Sequence, residues 1–276
     1  MFRRDLEMAK VFSLANQKGG VGKTTTTINL AAGAALSGKW VLVVDFDPQG
    51  NASSGLGIDR DKRSPGVYEA IIGKVPVSET VRETQIPRLS VIPSTRDLIG
   101  AEIELIDVED RTSYLKNILA GLKKDFDFIF IDCPPSLGLL TLNAMAASDS
   151  VLVTLQAEYY AMEGLSQLIE TVDMVAQRYN EGLVIGGICF TMMDRRTNLC
   201  RQVEQDVRDH FKDLVFQTTI PRNVRLSEAP SFGRTIFQHD ARSSGATAYL
   251  NLARELTKRE AAASDAAVAP MEAART

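Results

Sequence analysis

Apolar residues along this chain fall into short, almost unbroken runs, separated by longer stretches with helical spacing. Residues 11–15, 40–44, 89–93, 128–131, 150–155, 183–190 and 215–220 each read as a strand. Val/Ile/Leu runs without polar alternation indicate strands covered on both faces, as in parallel sheets. Between them, residues 28–36, 101–106, 112–122, 162–179 and 199–211 carry the apolar spacing of helices. The alternation predicts an α/β fold: a doubly wound, mostly parallel sheet flanked by helices, in a single domain. Such sheets bind ligands beyond the carboxyl ends of their strands, so the residues that follow each strand matter most.

After the first run comes Asn16-Gln-Lys-Gly-Gly-Val-Gly-Lys-Thr-Thr-Thr-Thr27, and then the first helical stretch. A strand, a glycine-rich turn and a helix N-terminus together shape a backbone to cradle a polyphosphate. Gly19, Gly20 and Gly22 let the chain curl so that successive N–H groups point inward, Val21 among them. Lys23 is placed to neutralise the β- and γ-phosphates, and Thr24 to give its hydroxyl to Mg²⁺, with Thr25 next on the helix. The ordinary P-loop pattern has Gly six residues before the lysine, where this chain has Gln17, and a second lysine, Lys18, stands five residues upstream.

Two further strand ends carry carboxylates. Asp132 closes the fourth run, where an acid beside a phosphate loop can polarise a water on Mg²⁺, and residues 134–138 after it suit a γ-phosphate-sensing switch. Asp45 and Asp47 follow the second run and, two residues apart on an extended segment, would lie on the same side, facing the phosphates. Asp47, further out, is placed to orient the attacking water.

Composition changes this picture only at the margins. The chain has 276 residues, 45% of them hydrophobic and 24% charged, with a net charge of −4, so bulk charge does not recruit a polyanion. Three cysteines without close pairing fit a reducing compartment, and two separated histidines do not suggest a metal site. No apolar run reaches the roughly 18–20 residues of a membrane span, and the first residues lack a hydrophobic signal core, which points to a cytoplasmic protein. Residues 1–8 read as a flexible N-terminal extension, 9–260 as the folded domain, and the alanine-rich 261–276 as a disordered tail.

The segment Lys18-Gly-Gly-Val-Gly-Lys-Thr24 resembles the deviant Walker A motif of the ParA/MinD group of P-loop ATPases. Asp45-Phe-Asp-Pro-Gln-Gly-Asn51, residues 92–105, residues 156–165 and residues 220–233 resemble further signatures of its ParA/Soj chromosome-partitioning branch. The similarity spans roughly residues 9–257. It implies an ATPase that is weak alone, holds ATP or ADP with Mg²⁺, and uses Lys18, Lys23, Asp47 and Asp132 catalytically. Thr24 would bind the metal directly and Asp132 through water. Lys18 would reach the partner's nucleotide in a homodimer with ATP sandwiched between subunits. The resemblance also places Pro221 against the adenine, with Met192 or Met193 nearby. It further implies nonspecific binding of double-stranded DNA on the nucleoid and hydrolysis stimulated by a ParB-like centromere-binding protein. Residues 195–242 hold nine basic residues against six acidic ones, nearly all the basic ones arginine. Arg196, Arg201, Arg222 and Arg225 are the candidate DNA contacts, Arg196 foremost by analogy. The alternatives are a MinD-like membrane-associated division-site ATPase, which would need a basic amphipathic C-terminal helix, and a nitrogenase-iron-protein type, which would need cluster-binding cysteines.

Overall fold

The computed structural model describes residues 8–105 and 107–273, the last eight of these by backbone alone. Seven strands form one sheet: β1 (Lys10–Ala15), β2 (Val41–Asp45), β3 (Arg82–Glu83), β4 (Leu89–Ile92), β5 (Phe128–Asp132), β6 (Ser150–Gln156) and β7 (Val184–Thr191). Their order is β3-β4-β2-β5-β1-β6-β7, and every neighbouring pair is parallel except β3 with β4. The helices are α1 (Lys23–Leu36), α2 (Asn51–Gly55), α3 (Val67–Ile71), α4 (Leu98–Glu104), α5 (Tyr114–Ala120), α6 (Leu139–Ala147), α7 (Ala161–Arg178), α8 (Asn198–Phe211), α9 (Val224–Glu228), α10 (Ile236–His239) and α11 (Ser244–Ala273).

The unbroken apolar runs have their expected cause: both faces of the sheet are covered. Along β1 and β5, Phe12, Leu14, Phe128 and Phe130 pack with α1 and α11 around Tyr249, while Val11, Ile129 and Ile131 face the other side toward α5 and α6. Phe12 and Phe130 stack with ring centroids 5.3 Å apart. Each such fully buried side chain contributes roughly 1.5–3 kcal/mol. A third cluster, including Leu165, Leu168 and Val207, seats α7 and α8 on β6 and β7.

Three expectations need correction or extension. Residues 215–220 do not complete a strand. The Phe216 and Ile220 amides donate to Ile188 and Phe190 of β7, but those of Gln217 and Thr218 turn to the Glu255 carboxylate on α11, so only isolated bridges form. The short antiparallel β3 carries no apolar run and was not expected. The backbone of α11 continues through residues 261–273, where composition suggested a disordered tail; alanine, the best helix former, accounts for the continuation. Residues 1–7 of the expected extension lie outside the described residues.

Candidate nucleotide site

The carboxyl ends of β1, β2 and β5 open on a cavity of about 380 Å³. Gly19, Gly20, Gly22, Lys23, Thr24 and Thr25 line one side, Asp47, Gln49 and Asn51 a second, and Pro135 a third. Helix α1 begins at Lys23, five residues before its apolar stretch, because Gly22 at φ 84° supplies the left-handed turn at its N-cap. No side chain caps this N-terminus, so its amides and the positive end of the helix dipole are left to the cavity. Val21 is buried instead, its carbonyl accepting from the Thr191 hydroxyl at 2.8 Å.

The two lysines part company. Lys23 is 7% exposed and its ammonium donates to the Asn16 carbonyl at 3.0 Å, across the mouth of the loop. Burial lowers its pKa, opposed by attraction to Asp132 and Asp47. Lys18 points away from the phosphate cavity and pairs with Glu158, at the end of β6, on the exposed rim. Asn16, which the sequence reading passed over, holds both: its amide donates to the Thr154 carbonyl at 2.6 Å and its side-chain oxygen accepts the Lys18 N–H at 2.9 Å. Its place directly before the motif was the available signal.

The carboxylates also separate. Asp132 is fully buried behind Thr24, accepting that hydroxyl at 2.8 Å and the Thr27 hydroxyl at 2.9 Å. Asp45, its register partner on β2, faces α2 rather than the cavity and accepts the Ser53 amide and hydroxyl at 2.7 and 2.6 Å. The expectation that Asp45 and Asp47 face the phosphates together is therefore corrected: the chain leaves the extended conformation after β2. Asp47 alone lines the cavity, its carboxylate accepting the Gln49 amide at 2.9 Å. Burial raises the pKa of both Asp132 and Asp45, reinforced by repulsion from Asp45 and Asp47 at Asp132 and from Asp47 at Asp45; the threonine and serine hydrogen bonds oppose the shift.

These donors fit Mg²⁺. They are hard oxygens, the Asp47 carboxylate lines the cavity, and the Thr24 hydroxyl lies between Asp132 and the cavity. Among the described residues no three acidic, histidine or cysteine side chains gather into a cage, so the remaining ligands would be phosphate oxygens and water, the usual habit of Mg²⁺.

A second cavity, about 260 Å³, adjoins the first through Gly22, Thr25 and Met192. Pro221 lines it with Ile220, Asn223 and Tyr249. Of the two candidate methionines, Met192 reaches the cavity, whereas Met193 is buried against Cys200. Tyr249, far along the chain on α11, was not foreseen; its hydroxyl shares a hydrogen bond with Thr26 on α1 at 3.0 Å.

The arginine-rich segment is less open than its composition suggests. Arg196 is exposed but forks onto Asp194, which lies one residue outside the window counted from sequence. Arg225 pairs with Glu228 and, at 3.6 Å, Asp240. Arg195 and Arg208 converge on the partly buried Glu204. Arg201 is exposed and donates to the Asn198 side chain; Arg222 is exposed on the rim of the second cavity.

A phosphate cradle of this form at the strand ends of a parallel sheet defines the P-loop class of nucleotide-binding proteins. Residues 9–185 match the AAA domain family. The chain is 52% identical over 253 residues to the chromosome partitioning protein ParA of Myxococcus xanthus, covering 92% of this chain and 89% of that one. It is 53% identical over 249 residues to the sporulation initiation inhibitor protein Soj of Bacillus subtilis, covering 90% and 98%. Among solved structures, cobyrinic acid a,c-diamide synthase from Mycobacterium smegmatis with bound ADP and magnesium superposes with a TM-score of 0.78 at 39% identity, covering 90% and 93%. The cell division ATPase MinD of Pyrococcus furiosus gives 0.77 at 26% identity, covering 91% and 99%. The chain belongs to the ParA/Soj family of chromosome-partitioning ATPases within the P-loop class. It hydrolyses ATP, and its cofactors are ATP or ADP and Mg²⁺. Among the described residues no helix is long and apolar enough to cross a membrane.

Proposed function

We propose that the chain is an ATP-dependent dimerising switch that binds double-stranded DNA without sequence preference and moves chromosomal or other large DNA cargo. Lys18 carries this reading. Lys23 already sits across the mouth of the phosphate loop, and Lys18, five residues away, is held outside the cavity on an exposed rim. A lysine so placed serves a second copy of the chain better than its own phosphates. Lys23 would neutralise the β- and γ-phosphates, the Thr24 hydroxyl and Asp132 would hold Mg²⁺, and Asp47 would orient the attacking water. The family's ParB-like partner would stimulate hydrolysis and so dissolve the dimer. DNA would meet the arginines of the 195–242 segment, doubled by dimerisation and salt-sensitive as phosphate contacts are.

Size-exclusion chromatography with light scattering on Asp47→Ala tests the reading. A dimer with ATP-Mg²⁺ but not with ADP-Mg²⁺, retarding any duplex in a mobility shift, is the expected result. A species indifferent to nucleotide, or an ATP dimer that ignores DNA, would rule the switch out.

A further inference from the structure

Arg63 lies outside every motif discussed so far, yet it is among the few buried cations of the chain, 6% exposed. Burial of its guanidinium lowers its pKa. Among the described residues no carboxylate forms an ion pair with it, although Asp45 is near enough to attract it. All its hydrogen bonds go to uncharged acceptors on one short stretch of chain. Nη1 donates to the Gly50 carbonyl at 3.1 Å, Nη2 to the Ser54 hydroxyl at 2.7 Å, and Nε and Nη2 both to the Ile58 carbonyl at 3.2 Å. Desolvating a guanidinium for neutral partners is costly, and core packing alone would be better served by an apolar side chain.

What the guanidinium holds is the segment that carries Asp47. The Gly50 amide donates back to the Asp47 carbonyl at 2.9 Å, closing the turn 47–50, and the Gln49 amide fixes the Asp47 carboxylate. Gly50 has φ 65°, and a Cβ there would fall 2.5 Å from Arg63 Nη1 and 3.0 Å from the Ser94 carbonyl oxygen. The guanidinium therefore presses on a turn that only glycine can form. The far side of the same segment is pinned independently: the Ser53 hydroxyl donates to Asp45 and accepts from the Ser94 amide at 3.1 Å.

We infer that Arg63 is a positioning residue for ATP hydrolysis, its planar fork holding the 47–58 segment so that the Asp47 carboxylate keeps its place in the phosphate cavity. The inference rests on Asp47 orienting the attacking water. A lysine cannot reproduce it, because an ammonium offers three donors at one point rather than a fork reaching three acceptors.

The test is single-turnover ATP hydrolysis with parallel titration of a fluorescent ATP analogue, on the parent, Arg63→Lys, Asp47→Ala and the double variant. In Arg63→Lys the hydrolysis rate should fall about tenfold while nucleotide affinity changes less than about twofold, since small displacements of a water-orienting group act on the chemical step. On the Asp47→Ala background the same substitution should leave the residual rate unchanged, because its route of action is already gone. A parental rate in Arg63→Lys, rate and affinity falling together, or a further fall in the double variant overturns the inference. Asp47→Ala hydrolysing like the parent would instead remove the assignment of Asp47, whatever Arg63 does. Should Arg63→Lys fail to fold, Ser54→Ala removes one acceptor and leaves the guanidinium both carbonyls. It should slow hydrolysis about threefold at unchanged affinity, and an unchanged rate in that variant counts against the inference.

Discussion

The phosphate cavity and the arginine-rich 195–242 segment both concentrate charge, but they manage it in opposite ways. Around the cavity, Lys23, Asp45 and Asp132 are withdrawn from water and fixed by backbone and hydroxyl groups at the ends of three parallel strands. Their charges remain incompletely answered within the chain: two buried carboxylates, Asp45 and Asp132, stand side by side across the β2–β5 register, and no side chain caps the α1 N-terminus. In the arginine segment the charges lie in solvent and largely answer one another, Arg196 with Asp194 and Arg225 with Glu228. Buried, unanswered charge specifies one ligand geometrically. Exposed, paired charge suits the weak, salt-dependent and sequence-blind phosphate contacts proposed for this segment.

The lysines sharpen the contrast most. Lys23→Met should weaken binding of a fluorescent ATP analogue by about a hundredfold, the usual cost of removing one partner from a desolvated charged contact. Lys18→Met should leave monomer affinity within about twofold, because an exposed ion pair contributes little and its ammonium lies outside the cavity. Equal losses in both variants, measured at concentrations where the chain is monomeric, would break the division between an inner and an outer lysine.

Next in size is the pH dependence of the buried acids. Asp132 and Asp45 have raised pKa values, so without nucleotide the folded chain holds protons that the unfolded chain has released. Their contribution to stability is therefore fully present below about pH 4 and is lost as pH rises toward and through the raised values. Asp132→Asn ends the repulsion with Asp45, at the cost of an acceptor for one of the two threonine hydroxyls. In the absence of nucleotide, the variant should be more stable than the parent at pH 8 by on the order of 1–2 kcal/mol, with a shallower fall in stability from pH 5.5 to pH 8. Denaturant titrations at the two pH values read this directly. Identical slopes would mean that the carboxylates are not in conflict.

The same contrast explains what could be read from the chain. The glycine loop, Lys23, Thr24, Asp47 and Asp132 are legible because phosphate chemistry demands those residue types at strand ends, and apolar runs mark the strand ends. Residues 215–220 read as a strand because local pattern does not reveal that Glu255, some forty positions on, captures two of their amides. Asp45 and Asp47 were expected on the same side because spacing on an extended chain carries no information about a turn begun after the strand. Arg63 and Tyr249 belong to no motif: each acts through hydrogen bonds formed only once distant segments pack. Counting arginines over 195–242 left out one partner more simply, since Asp194, which Arg196 forks onto, stood just beyond the counted window.

Asp194 also provides the smallest and most selective test. Its half-exposed carboxylate is held down to about 2 by the Arg196 fork, so no physiological pH releases Arg196 by protonation. On the proposed DNA-binding reading, Arg196 would exchange this carboxylate for a phosphate, and the exchange would offset part of the gain. Asp194→Asn removes the competing charge without touching the arginine. Affinity of the ATP-bound Asp47→Ala dimer for an arbitrary duplex should rise about two- to threefold, as expected for losing one exposed pair. The dependence on salt should steepen at the same time, because a cation that displaces counterions from DNA replaces one that was internally neutralised. Arg196→Glu made in parallel should abolish the shift while leaving dimerisation intact. Should Asp194→Asn leave both affinity and salt slope unchanged, the phosphates are met elsewhere. The exposed Arg201 and Arg222, neither in an ion pair among the described residues, would then be the next positions to exchange.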